Sequence, residues 1–265
     1  MNLREICART EQAARETASF ILAESKRFDL KATESKGLND FVSYVDRGSE
    51  ELLVNLLGDI LPEAGFITEE GTSAKKGIRY CWVIDPLDGT TNFIHGLHPY
   101  AISIGLMEHD EVVAGVVYEV SGKEIFTAWK GGGAWLNGNR IHVSNTEELS
   151  GSLVATGFPY SHFEKLPCYL NLLNHFLQHT HGVRRLGSAS IDLAYVACGI
   201  FDLFYEYDLH LWDVAAGMLI VREAGGMVGD FAGNMQKITG EEIIATNGKI
   251  YSEVVDIVGK FMPGK

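Results

Sequence analysis

Residues 80–129 read YCWVIDPLDGTTNFIHGLHPYAISIGLMEHDEVVAGVVYEVSGKEIFTAW. Four apolar runs stand out: YCWVID from Tyr80, AISIGLM from Ala101, VVAGVVYEV from Val112 and EIFTAW from Glu124. Turn residues such as His109-Asp110 and Ser121-Gly122 separate them, so the stretch predicts short strands in an antiparallel meander. Upstream, Ile6, Ala13, Ala14, Thr17, Phe20 and Ile21 recur at helical spacing, predicting an amphipathic helix from Leu3 to about Lys26. A second helix is predicted from about Asp40 to Leu61, with Val42, Val45, Leu52, Leu53, Leu56 and Leu57 as its buried stripe and Pro62 ending it.

Downstream the pattern alternates. Strand LVATGF is followed by a helix near His162 to Gln178, strand GVRRL, helix SIDLAYVAC, strand FDLFYEY, helix WDVAAGMLIVREA, strand IIAT and a helix after Asn247. Such alternation predicts α/β layering, with helices packed on a sheet. The irregular polar stretch around Ser144 to Ser152, beyond the turn Asn137-Gly138, marks a boundary between halves 1–150 and 151–265 of one compact unit.

Asp and Glu outnumber Lys and Arg 35 to 22, for a formal net charge of −13. Non-specific nucleic-acid binding depends on basic side chains neutralising phosphates, so direct nucleic-acid binding is not expected. Cys7, Cys81, Cys168 and Cys198 are scattered with no C-x-x-C pair, which predicts reduced, partly buried thiols and neither a structural zinc site nor a disulfide framework. No apolar run approaches the ~18 residues of a membrane span, and the charged N-terminus lacks a signal-peptide core. A cytoplasmic location without membrane association is expected.

The densest chemical signal is Asp85-Pro86-Leu87-Asp88-Gly89-Thr90-Thr91-Asn92, directly after strand YCWVI. Asp85 and Asp88 can converge across a turn on a hard cation, with the Leu87 carbonyl as a further oxygen ligand. The same residues also suit an Asx-turn before an Asp-capped helix. Glu69-Glu70 follow the apolar stretch Ala64–Ile67, where two like charges repel unless a cation lies between them or the pair is solvated at the surface. Asp213, after Trp212, heads an apolar helix and suits an N-cap as well as a ligand. Lys36, Asp40 and Asp46 read by themselves as a solvated face.

Taken in order, E-E, D-P-L-D-G-T-T-N and, about 125 residues later, W-D make this chain resemble the inositol monophosphatase family of lithium-sensitive, Mg²⁺-dependent phosphatases. Lys36, Asp40 and Asp46 match its N-terminal motif; Gly187-Ser188-Ala189 and Glu206 match its substrate region; Gly225-Gly226 match further on. The D-P-x-D-G-T element is shared with fructose-bisphosphatases and nucleotide phosphatases. The resemblance implies alternating helix and sheet layers, αβαβα, and a homodimer. It implies two or three Mg²⁺ ions: Glu69, Asp85 and the Leu87 carbonyl on the first, Asp85, Asp88 and Asp213 on the second, and Glu69 with water on a third. Glu70 and Lys36 would support the cluster, and Asp46 would pair with Thr90, which together with Glu69 orients the attacking water. Gly89 and Thr90 N–H groups would hold the phosphate. Gly187, Ser188, Ala189, Glu206 and Asp213 would meet the organic part of the substrate.

The implied reaction is hydrolysis of inositol monophosphate, or a similar small polyol or sugar phosphate, by direct attack of a metal-activated water. Fructose 1,6-bisphosphate, histidinol phosphate and 3′-phosphonucleotides satisfy the metal end equally. Gly157-Phe158-Pro159-Tyr160 stands where inositol-selective animal members carry a serine, and Ser188 where Thr is frequent. An aspartyl-phosphate mechanism would need acids two apart, whereas these are three apart, and the calcium loop D-x-[DN]-x-[DN]-G is missing. A protein-binding role for an intact phosphatase fold remains a reading of another class. Arg184 and Arg185 suit a substrate, interface or surface role, and His175, His179 and His181 suit a zinc site or an exposed helix end. His95, His98 and His210 lie near the motifs and receive no catalytic role.

Overall fold

Val116 packs into one apolar core and its neighbour Val117 into another, because successive side chains of a strand point to opposite faces. The same alternation recurs at Phe204 and Tyr205 and at Ala155 and Val154, so each sheet separates two cores. The computed structural model describes residues 1–28, 33–37, 40–236 and 239–262, with side chains for all of these except residues 35–37, 40 and 41. Lys36 and Asp40 therefore lie outside the described side chains.

In chain order the elements are α1 (Leu3–Ser25), β1 (Thr33–Gly37), β2 (Asp40–Ser43), α2 (Tyr44–Ile60), β3 (Gly65–Thr68), β4 (Tyr80–Asp88), α3 (Thr90–Ile94), β5 (Ala101–Glu108), β6 (Glu111–Glu119), β7 (Glu124–Trp129), β8 (Gly133–Leu136) and β9 (Asn139–Ile141). They continue with β10 (Leu153–Thr156), α4 (Leu166–His179), β11 (Gly182–Arg184), α5 (Ala189–Ala197), β12 (Leu203–Tyr207), α6 (Leu211–Glu223), β13 (Met227–Gly229), β14 (Glu242–Thr246) and α7 (Tyr251–Phe261). Strands β3 to β9 form one seven-stranded sheet in sequence order, antiparallel except for the β3–β4 pair. A five-stranded sheet runs β11-β10-β12-β14-β13, parallel across its first three strands and antiparallel across the last three.

One core joins α1 and α2 to the outer face of the first sheet. A second lies between the sheets and is filled by α5 and α6. The third joins the far face of the second sheet to α4 and α7. The layers are thus αβαβα, as the resemblance implied. Helix α6 has a sheet on either side, which is why its run Val214–Val221 is wholly apolar or small rather than striped.

The meander holds and extends further than expected, since Asn137-Gly138 turns a hairpin between β8 and β9. Two helix starts move. Helix α2 begins at Tyr44, not near Asp40, because Ser43 and Asp46 form a capping box and the preceding residues pair as β2 with β1. Its buried face carries Val45, Asp46, Ser49, Glu50, Leu53 and Leu57, a stripe rotated from the all-apolar one expected. Helix α4 begins at Leu166, next to Pro167, rather than near His162, whose ring is instead tied to Asp208. No described helix is long and apolar enough to cross a membrane.

Candidate metal centre and substrate pocket

Strand β4 pairs with β5 up to Asp85–Ser103, and the register then slips before Asp88–Ala101. Pro86 within this irregularity has no N–H for the ladder, and the Asp85 Oδ1 accepts the Leu87 N–H at 2.9 Å. Gly89 then takes φ +91°, a left-handed conformation that strains any residue with a β-carbon, and α3 starts at Thr90. Asn92 fastens this turn to distant chain, donating to the carbonyls of Pro99 and Leu186, each at 2.8 Å.

Asp88 faces the N-terminal end of α5. Its Oδ2 accepts from Ser188 Oγ at 2.7 Å, Ser190 N–H at 2.7 Å and Ser190 Oγ at 2.5 Å, which spends one carboxylate oxygen on α5 and leaves the other for the pocket. Asp213 sits in the first turn of α6 and accepts the His210 N–H at 2.6 Å. Behind the pocket, Thr90 Oγ stands 2.9 Å from Asp46 Oδ1 and 3.0 Å from the Leu87 carbonyl, while Asp46 Oδ2 caps α2 through Ser43.

Glu69, Asp85, Leu87, Asp88, Gly89, Thr90, Gly187, Ser188, Ala189, Glu206 and Asp213 all line one cavity of about 330 Å³. Asp46 lies behind Thr90, and the Glu70 backbone is held by Glu50. Arg185, Tyr160, Asp208 and His210 complete the rim; Arg185 donates to the Tyr160 hydroxyl at 3.2 Å, and Arg184 is exposed away from the cavity. Ser190, Glu50 and Asp192 went unread in the sequence. No local pattern marks Ser190, which meets Asp88 across 102 residues. Nor does one mark Glu50, which meets the Glu70 N–H across 20 residues.

The acids share an electrostatic problem. Burial, then the charges of Glu69, Asp88 and Asp213, push Asp85 well above the usual carboxylate range. Burial raises Asp88 against the hydrogen bonds from Ser190 and Ser188, and burial with the Asp88 charge pushes Asp213 up to about 7. Asp192 and Glu206 are also driven well up, chiefly by burial, with Arg185 acting in the opposite direction on both.

Among the described residues no group of three or more His, Cys, Asp or Glu side chains stands ready-made around a metal position. The pocket acids crowd one another instead, the charges of Glu69, Asp88 and Asp213 all acting on Asp85. The donor chemistry nonetheless fits a hard divalent cation, since buried oxygens pressed together by like charge are relieved by one. Binding it requires the carboxylates to be ionised and to turn toward the ion.

Gly157, also on the cavity lining, faces Glu206 on β12. A β-carbon at position 157 would lie 1.9 Å from Glu206 Oε1, so a glycine there is what lets the buried acid reach the pocket. His175 and His179 stack with ring centroids 4.2 Å apart at the end of α4, remote from this pocket, and His95 and His98 are exposed. The cysteines are free, with Cys7 buried and Cys168 exposed.

Residues 2–260 match the profile of the inositol monophosphatase family. The Nus factor SuhB of Pseudomonas aeruginosa is 40% identical over 257 residues, 95% of each chain. The inositol-1-monophosphatase of Rhizobium meliloti is 41% identical over 231 residues, 87% of each chain. The crystal structure of extragenic suppressor protein suhB from Bartonella henselae superposes with a TM-score of 0.90 at 37% identity, covering 96% of this chain and 98% of that one. This chain therefore belongs to the inositol monophosphatase family.

Proposed function

We propose that this chain is a Mg²⁺-dependent phosphomonoesterase acting on inositol monophosphate or a similar small polyol or sugar phosphate. The observation that carries this reading is the meeting of Glu69, Asp85, Leu87, Asp88 and Asp213, from three separate segments, at one cavity that Thr90 and Glu206 also line. Two or three Mg²⁺ ions held by these oxygens would supply the charge that binds phosphate and acidifies water.

The protein's own groups do the rest. Thr90 has a single hydroxyl hydrogen; directed at Asp46, it leaves the oxygen free to accept a hydrogen from the attacking water, and Glu69 accepts the other. The Gly89 and Thr90 N–H groups hold the phosphate at the start of α3. Glu206 and the backbone of Gly187, Ser188 and Ala189 accept and donate to the substrate hydroxyls, with Gly157 leaving room for the Glu206 carboxylate. Glu70 and Lys36 would support the metal cluster.

Phosphate release from inositol monophosphate, fructose 1,6-bisphosphate, histidinol phosphate and a 3′-phosphonucleotide, with Mg²⁺ and with or without Li⁺, tests this and selects the substrate. Background rates for wild type and Asp88→Asn alike would sink the reading. The name of the Pseudomonas relative supports a second one, in which the chain serves as a Nus factor through protein contacts of an intact fold. Complementation by Asp88→Asn of a strain lacking its own relative separates the two roles. A cytoplasmic homodimer completes the proposal, and sedimentation of the purified chain checks its oligomeric state.

A further inference from the structure

Asp46 and Glu50 stand one turn apart on the buried face of α2, both without solvent exposure. Asp46 reaches toward the Thr90 turn. Glu50 reaches toward the chain after β3: its Oε2 accepts the Glu70 N–H at 2.7 Å, and its Oε1 accepts the Thr72 N–H and the Thr72 hydroxyl, each at 2.8 Å. One carboxylate thus holds two backbone donors and a hydroxyl in the segment that carries Glu69 and Glu70.

We propose that Glu50 is a positioning residue for the metal centre, holding the 69–72 turn on the same helix face that holds Thr90 through Asp46. The inference rests on the reading of the pocket as a metal centre. Two of these three hydrogen bonds act on main-chain N–H groups, so they fix the path of the 69–72 backbone rather than a side-chain rotamer. Both anchors hang from one rigid helix. Asp46 and Glu50 thus tie the Thr90 turn and the 69–72 turn to one helix face. Strands β3 and β4 pair as far as Thr68–Ile84, with the Glu69 N–H on the Ile84 carbonyl at 3.3 Å, and beyond that point Glu50 adds a second hold on the turn.

Partners of this kind typically alter metal affinity by 10–100-fold when removed. Glu50→Gln keeps the shape but presents an amide where a donor now points. The measurement is calorimetric titration of Mg²⁺ into folded wild type and variant, with the Mg²⁺ concentration for half-maximal phosphate release alongside. The expected result is about a tenfold weaker Mg²⁺ affinity, with kcat at saturating Mg²⁺ within about threefold of wild type. A purely structural role would lower the melting temperature and leave the affinity of the folded protein unchanged, which would overturn the proposal. Thr72 is exposed, so Thr72→Ala tests the same link should Glu50→Gln not fold. It should weaken Mg²⁺ binding about threefold and Thr72→Ser should restore it, within the range expected for one lost hydrogen bond; wild-type affinity in Thr72→Ala would overturn the link. Wild type that binds no Mg²⁺ at all would instead overturn the underlying metal-centre reading.

Discussion

Thr90 Oγ lies 2.9 Å from Asp46 Oδ1, a contact made across 44 residues of chain that joins the start of α3 to the first turn of α2. Asp46 is fully buried, and burial raises it even though Ser43 and Thr90 donate to it. A buried acid is kept in such a place only if its hydrogen bonds serve it, and here one of them directs the Thr90 hydroxyl. Thr90→Val and Asp46→Asn should each lower kcat by about a hundredfold with little change in KM, since an interaction that orients a water acts in the transition state. Steady-state phosphate release checks this; a KM effect alone would contradict it.

Asp88 has three donors on one oxygen, two of them from Ser190. Ser190→Ala removes the hydroxyl and leaves the N–H and Ser188 in place. The outcome expected is about a tenfold rise in half-saturating Mg²⁺, read by titration of the metal into the folded variant. An unchanged value would mean that Asp88 needs no such anchor.

At Gly157 even a methyl group meets Glu206 at 1.9 Å. Gly157→Ala should push the carboxylate off the polyol side of the cavity, raising KM by about tenfold while kcat falls less. Kinetics with a substrate lacking ring hydroxyls is the control, because that substrate should lose little.

His162 and Asp208 pair on the loop beside the pocket. Asp208 draws His162 above its ordinary value of 6.5; burial raises Asp208, but the hydrogen bonds from His162 and Ser161 outweigh it and bring it below 3.8. The raised histidine contributes fully below about 6.5 and loses its contribution as pH rises through its folded pKa. The lowered aspartate contributes above 3.8 and loses it as pH falls through its own. The latch therefore weakens on the alkaline side first. NMR titration of the His162 ring should give a midpoint above 6.5 in wild type that returns to about 6.5 in Asp208→Asn; equal midpoints would remove the latch.

How much of this was legible in the sequence depends on the range of the interaction. Apolar runs such as EIFTAW report a local period, and that strand spans the very residues expected. The Ser43–Asp46 capping box was also local, yet the apolar positions Val42 and Val45 drew the predicted helix back to Asp40. Turn residues Asn137-Gly138 were recognised, but the flanking strands are only four and three residues long and carry little pattern. Acids at Glu69, Asp85, Asp88 and Asp213 stood out because their motifs are contiguous. The groups that hold them did not: Ser190 and Glu50 act over 102 and 20 residues, and such pairs exist only once the layers are stacked.

Shared divalent cations are what the acids of this pocket are expected to hold. Calorimetric titration of Mg²⁺ into metal-free wild type and Asp85→Asn is the test, because the charges of Glu69, Asp88 and Asp213 all act on Asp85. Saturable binding of more than one ion per chain is expected for wild type, with loss of at least one ion in Asp85→Asn while the fold is retained. No binding by wild type, or the same stoichiometry and affinity in both proteins, would contradict the account.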